Sequence, residues 1–207
     1  MRRLTIAETS LVGGGKHTRI MLKVGNNVVN AMCFRHTLDD ICLYPGDTVD
    51  VMFSLDINEF QNQKTLQMII KDIRLSEAEY ENEMNAREIF AKLRGGMSGE
   101  EISRLKPAGI VPTHADFAAI RREARLEHEV FSIRALINLL GSVGDKIGYV
   151  KLRFIMLVFS EMNLLEIKEL DADREIYAFK VVFTKTKTNL DNSNILRKLK
   201  SDFGMTE

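Results

Sequence analysis

The 207-residue chain is long enough for two small domains, and its apolar and charged fractions are those of ordinary globular protein. Lys plus Arg balances Asp plus Glu at 29 each, which excludes the bulk basic excess that announces nucleic-acid binding from composition alone; any basic surface must be local. The longest apolar run, Phe154 to Phe159, falls far short of the ~20 residues that cross a bilayer, and Glu8 and Ser10 interrupt the start before a signal-like run develops, so a cytoplasmic protein with no membrane partner is expected.

Residues 1–75 read as five short strands: Leu4 to Val12, His17 to Val24, Asn27 to Phe34, Thr48 to Ile57 and Thr65 to Ile73. Turn chemistry separates them at Gly13-Gly14-Gly15, Gly25-Asn26-Asn27, Pro45-Gly46-Asp47 and Asn58 to Lys64. The second strand alternates with period two. Thr18, Ile20, Leu22 and Val24 point to a core, and His17, Arg19, Met21 and Lys23 point to water. In the fourth, Val49, Val51, Phe53, Leu55 and Ile57 form the expected inward set. Leu38, Ile41 and Cys42 suit a short helix between the third and fourth strands, which Pro45-Gly46 ends. This order suits a five-stranded Greek-key barrel, the OB-fold, whose second and third strands with the loops after strands one and four form the usual ligand surface. A different five-stranded sheet with one helix is the alternative.

Cys33 and Cys42 are too few to staple a chain of this size and are expected to be unbridged; with His36 between them they lack a paired C-x-x-C, so core packing is preferred to zinc. Gly13-Gly14-Gly15-Lys16 is no phosphate loop, because that pattern needs Gly at 10 and Ser or Thr at 17, where Ser10 and His17 stand. No clustered metal ligands, activated nucleophile or paired carboxylates emerge, so no catalytic or metal residue is assigned. Asp39-Asp40, His114 and Asp116 read as helix-end chemistry and His128 as part of a charged linker.

From Ser76 the character turns helical. Ser76 caps a run with Glu77, Glu79, Glu81 and Glu83 early and Arg87, Lys92 and Arg94 late, the order a helix dipole favours, and Gly95-Gly96 stops it. Ser98 with Glu101 reads as a capping box. Residues 76–107 form the expected helical connector. Residues 108–207 hold helices at Thr113 to Leu126, Ser132 to Leu140 and Ile147 to Asn163, strands at Leu165 to Leu170 and Ile176 to Phe183, and a last short helix with Arg197, Lys198 and Lys200. Three helices and a hairpin resemble a winged helix, but Ile147 to Asn163 is apolar nearly all round, the mark of a buried helix rather than one that enters a groove.

The wet face of the second strand and its neighbours offers a candidate nucleic-acid groove. Lys16, His17, Arg19, Lys23, Arg35, Lys64, Gln67 and Lys71 supply positive and polar contacts. Phe34 and Phe60 fit either a core or loop anchor or a platform for base stacking, worth ~1–3 kcal/mol per base.

Gly15 to Leu22, Val28 to Phe34, Pro45 to Val51, Leu55-Asp56-Ile57-Asn58-Glu59-Phe60 and Leu66 to Arg74 together resemble the OB domain of RecJ exonucleases. Thr18 stands where that family often has leucine. Val111-Pro112-Thr113 to Phe117, Val158 to Leu164, and Leu190 with Ser193 resemble the extra C-terminal domain of RecJ proteins from Firmicutes-type bacteria. The resemblance implies an α+β chain: an OB barrel that holds single-stranded DNA, a helical connector and a mostly α, winged-helix-like accessory domain. It also implies a metal-dependent catalytic core with Asp-His-His motifs, using Mn or Mg, as a partner in cis or trans. No such tripeptide occurs in this sequence, so no metal ligand or cofactor carries over, and a non-catalytic fragment or split-gene product acting in DNA repair and recombination is expected. The rival expectation is a protein-interaction module with little DNA affinity, docking a single-strand-binding or other repair protein. An independent small enzyme finds no supporting constellation.

Overall fold

The computed structural model describes residues 1–60, 63–123, 130–142, 147–182 and 188–205, without the side chains of Asp39, Phe60, Gln63 and Ser142. The chain forms two compact units, Met1–Asn82 and Glu83–Glu207.

In the first unit the elements run β1 (Leu4–Val12), β2 (His17–Val24), β3 (Asn27–Phe34), α1 (Leu38–Ile41), β4 (Thr48–Phe60) and β5 (Gln63–Leu75). They make a closed barrel in the order β1-β2-β3-β5-β4. The order is consistent with the OB-fold. Every pairing is antiparallel except β3 with β5, and β4 returns to β1 through Leu4 opposite Val49 and Thr5 opposite Thr48. Ile6, Ile20, Leu22, Ala31, Val49, Val51 and Met68 fill the interior. Thr18 shares that interior in the expected register. It is fully buried, and its hydroxyl donates to the His36 carbonyl at 2.8 Å, so the polar group is satisfied where an aliphatic residue would also fit. Cys33 is buried and Cys42 half-buried, with no disulfide. Burial pushes the Cys33 thiol up, away from the thiolate that binds metal.

The inward set of β4 needs one correction. Val49 and Val51 are buried and Phe53 half-buried, but Leu55 and Ile57 are each 59% exposed. Strands β4 and β5 pair on to Phe60 opposite Gln63, while β1 pairs β4 only at Val49 and Thr48 and β3 pairs β5 only at Met68 and Ile69. The hairpin therefore outruns the barrel. Its core-type alternation continues into water, with Ile57 opposite a similarly exposed Leu66.

Helix α2 (Glu77–Gly95) spans the division between the units, and Ser76 Oγ accepts from Glu79 N–H at its start. Then come α3 (Gly99–Ser103), a 3₁₀ turn (Pro107–Gly109), α4 (His114–Glu123), β6 (Val130–Ser132), α5 (Ile133–Ser142), α6 (Tyr149–Glu161), β7 (Leu165–Asp171), β8 (Ile176–Val181), a second 3₁₀ turn (Leu190–Asn192) and α7 (Asn194–Asp202). Ser98 and Glu101 form the expected capping box on α3. The expected helix end at Leu126, the residue His128 and the strand end at Phe183 lie outside the described residues. A strand stands where none was expected: Val130 to Ser132 pair with β8, giving a three-stranded antiparallel sheet in the order β6-β8-β7, and Ser132 ends this strand rather than opening the helix, which starts at Ile133.

Phe90 and Leu93 of α2 and Ile102 of α3 are buried in one cluster with Val150 and Phe154 of α6 and Leu199 of α7. Helix α6 is buried on nearly every side. At its end Glu161 holds the tail: the Ser193 hydroxyl and the N–H groups of Asn194 and Ile195 donate to its carboxylate. A carboxylate at a helix N-terminus satisfies orphan donors and suits the helix dipole.

Candidate nucleic-acid interface

Alternation along β2 and β3 decides what the outer face of the barrel presents. His17 lies opposite Phe34, Arg19 opposite Met32, Met21 opposite Asn30 and Lys23 opposite Val28. On one side Ser10 of β1 lies opposite Arg19 and its Oγ accepts from Arg19 Nε at 3.2 Å. On the other, Ile69 of β5 lies opposite Met32, with Gln67 two residues before it. Lys71 is the extra residue of a bulge, since Met52 pairs Asp72 and Phe53 pairs Ile70.

His17 and Phe34 form the most structured part of the face. Their rings meet edge to face at 5.2 Å, and Phe34 remains 46% exposed. The N–H of Arg35 donates to His17 Nδ1 at 2.9 Å, which makes Nε2 the protonated nitrogen of the neutral ring and its free donor. Arg35 reaches this position at φ +63°, a left-handed conformation that an L-residue enters only at a cost. Beneath the ring lies Gly13 at φ +61°. A Cβ there would sit 2.9 Å from His17 Cδ2. Gly13→Ala is therefore expected to displace the imidazole and to cost about 1–2 kcal/mol of stability. Ring-proton NMR shifts of His17 and Phe34 that stay at their wild-type values would contradict this.

Among the described residues, Lys16, Arg19, Lys23, Arg35 and Lys71 are exposed and make no ion pair. Lys64 differs, because Glu59 pairs with it at 2.6 Å on the projecting hairpin. The Phe60 side chain lies outside the described residues. Glu8 also faces outward, opposite Met21, so the surface is cationic in patches rather than throughout. Reading the sequence for charge and aromatics puts Met21 on the wet face but leaves it, with Met32 and Ile69, out of the candidate contacts. They give the face its apolar floor, and their signal was the same alternation that placed Arg19 and Lys23.

No group of three or more His, Cys, Asp or Glu among the described residues could hold a metal ion. No described helix is long and apolar enough to cross a membrane.

Comparison with known proteins agrees with the barrel. Residues 1–72 match the family described as the RecJ OB domain. No curated protein matches the chain. Among solved structures, one described as an aspartyl-tRNA synthetase from Leishmania major Friedlin aligns at 18% identity over 35% of this chain and 16% of its own, with a TM-score of 0.30. So low a score carries no argument.

Proposed function

We propose that the barrel holds single-stranded DNA across β2 and β3 as a non-catalytic part of a RecJ-like exonuclease in cytoplasmic DNA repair and recombination. The observation that carries this reading is the coincidence of the family match with an outer face whose cations make no ion pair among the described residues and surround the edge-to-face rings of His17 and Phe34. Arg19, Lys23, Lys16, Arg35 and Lys71 neutralise phosphates. Phe34 offers a ring to a base, and the Nε2 donor of His17 and the amide of Gln67 offer hydrogen bonds to base edges or phosphate. Lys64 and Phe60 lie on the hairpin at the edge of this surface. Hydrolysis, and the Mn or Mg it would use, belongs to a catalytic core that partners the chain in cis or trans; the described residues do not suit such a metal.

The element order helix, strand, helix, helix, strand, strand, with the first strand paired to the last, supports a winged-helix-like reading of the second unit. The burial of α6 argues against a recognition helix and for an accessory, protein-docking role.

Fluorescence anisotropy of a labelled single-stranded oligonucleotide, titrated at low and moderate salt, tests the grip. Arg19→Ala with Lys23→Ala should weaken binding about tenfold and flatten the slope of log K against log salt by about 1.4, since each single-strand phosphate contact contributes about 0.7. Unaltered affinity and slope in the double variant would move the interface elsewhere.

A further inference from the structure

The projecting part of β4 has a free edge. Val51 donates its N–H to the Met1 carbonyl at 2.9 Å, on the side away from β5. Backbone groups alternate along a strand, so Phe53, Leu55, Ile57 and Glu59 turn theirs to the same side. Among the described residues no strand pairs with them there, because β1 meets β4 only at Val49 and Thr48. The Ile57 N–H turns instead to the Asp56 carboxylate of its own strand, at 2.8 Å.

Proteins guard such edges with lysine, proline, a bulge or a covering element. Between Phe53 and Phe60 there is no lysine, arginine or proline, and the nearest bulge lies on β5 at Lys71. Leu55 and Ile57 are each 59% exposed beside the edge, with Leu66 across from Ile57 at 65%. An unguarded edge bordered by an apolar face is a template for another strand.

We propose that the occupant is the same edge of a second copy, the two β4 strands pairing antiparallel about a twofold axis at Leu55. The side chains select this register. Leu55 faces the partner's Leu55 and Phe53 faces the partner's Ile57, which joins the two apolar faces. On the other face the Ser54 hydroxyl donates to the partner's Asp56, and that carboxylate then releases its own Ile57 N–H to the facing strand. Centring the axis on Asp56 would oppose two carboxylates, and centring it on Ile57 would set Leu55 against the partner's Glu59; both are worse. Residues 52–58 span only about 23 Å, too narrow for the roughly 800 Å² per partner of a standard interface. The dimer therefore forms and parts with concentration.

Analytical ultracentrifugation of the full chain over a concentration series tests the pairing. The mass should rise from 23.6 kDa towards twice that value, and Leu55→Lys, which places two ammonium groups at the axis, should weaken association at least about tenfold. Leu55 is exposed, and cysteine variants test the register without added charge. Facing residues lie about 5.5 Å apart, within the reach of a disulfide, so Leu55→Cys should give a covalent dimer under mild oxidation. Ile57→Cys, offset from its own copy by four residues or about 13 Å, should not. The wild type, which keeps Cys33 and Cys42, is the control. A monomer throughout the series overturns the proposal, as does a dimer indifferent to Leu55→Lys or equal cross-linking at the two positions. A monomer in which Leu55→Lys alters oligonucleotide binding would overturn it by making nucleic acid the occupant. Arg19→Ala with Lys23→Ala should leave self-association unchanged, which separates this outcome from failure of the DNA grip.

Discussion

Replacing Glu175 with Gln should lower the stability of the second unit by about 3–5 kcal/mol, the usual loss when one member of a buried ionic group is removed. Glu175 is 8% exposed, at φ +50° in the turn before β8. One oxygen accepts from Arg153 Nη1 at 2.7 Å and from the Tyr149 hydroxyl at 2.6 Å; the other meets Arg87 Nη2 at 2.9 Å. The Arg153 guanidinium also lies 5.0 Å from the centre of the Phe90 ring and 5.6 Å from that of Tyr177. Burial first, and the hydrogen bond to Glu175 second, push the Tyr149 phenol far above its ordinary value. Gln keeps the shape and loses the charge, taking from Arg153 the carboxylate it pairs with and leaving Arg87 to Glu83, which Arg87 and Arg134 already contact at 2.6 and 2.9 Å. Urea unfolding followed by circular dichroism reads the effect. A loss below about 1 kcal/mol would mean that the aromatic rings and Glu83 suffice to hold the cations. Replacing Arg153 and Glu175 together by Met should recover much of the loss, because an apolar substitute leaves no stranded charge.

The next largest effect is expected at Asp116. Its carboxylate accepts from the N–H and hydroxyl of Thr113, both at 2.8 Å, capping α4, and pairs at 3.0 Å with the ammonium of Lys151, a residue only 5% exposed. Asp116→Ala removes the cap and strands the lysine, for about 3 kcal/mol. Burial raises the Asp116 carboxyl, but the Thr113 hydrogen bonds and the Lys151 ammonium outweigh it and hold it below the ordinary carboxylate value. A carboxyl lowered in the folded state contributes stability above its unfolded pKa, near 4, and loses it as pH falls through the folded value. Urea midpoints should therefore drop in acid more steeply for the wild type than for Asp116→Asn. Parallel pH profiles would show that the pair contributes no linkage.

The barrel was legible where alternation coincided with burial. In β2, Thr18, Ile20 and Leu22 and their outward partners fall where period two puts them, and the cations of the outer face follow from the same rule. Strand β4 shows the limit of that rule. Leu55 and Ile57 continue the pattern of Val49 and Val51 without break, and only the early end of pairing with β1 and β3 leaves them outside. Strand β6 escaped notice because three residues beside a charged run make no period. The ionic group around Glu175 was illegible for another reason: Glu83, Arg87, Arg134, Arg153 and Glu175 come from α2, α5, α6 and a turn, and local spacing cannot announce a cluster assembled by packing. Glu161 and Ser193 stand in the sequence as points of family resemblance, and the helix cap they build supplies a physical reason for the pairing.

The parallel pairing of β3 with β5 has a consequence for synthesis. Ala31 and Met32 must wait for Met68 and Ile69, so the first three strands leave the ribosome with a hydrophobic sheet and no means of closing it. Ile20, Leu22 and Ala31, all fully buried in the finished barrel, stay open to solvent or to other nascent chains during that interval. A truncation before Gln63 makes the interval permanent. Such a piece should aggregate, whereas one reaching Asn82 carries both closures and can fold by itself.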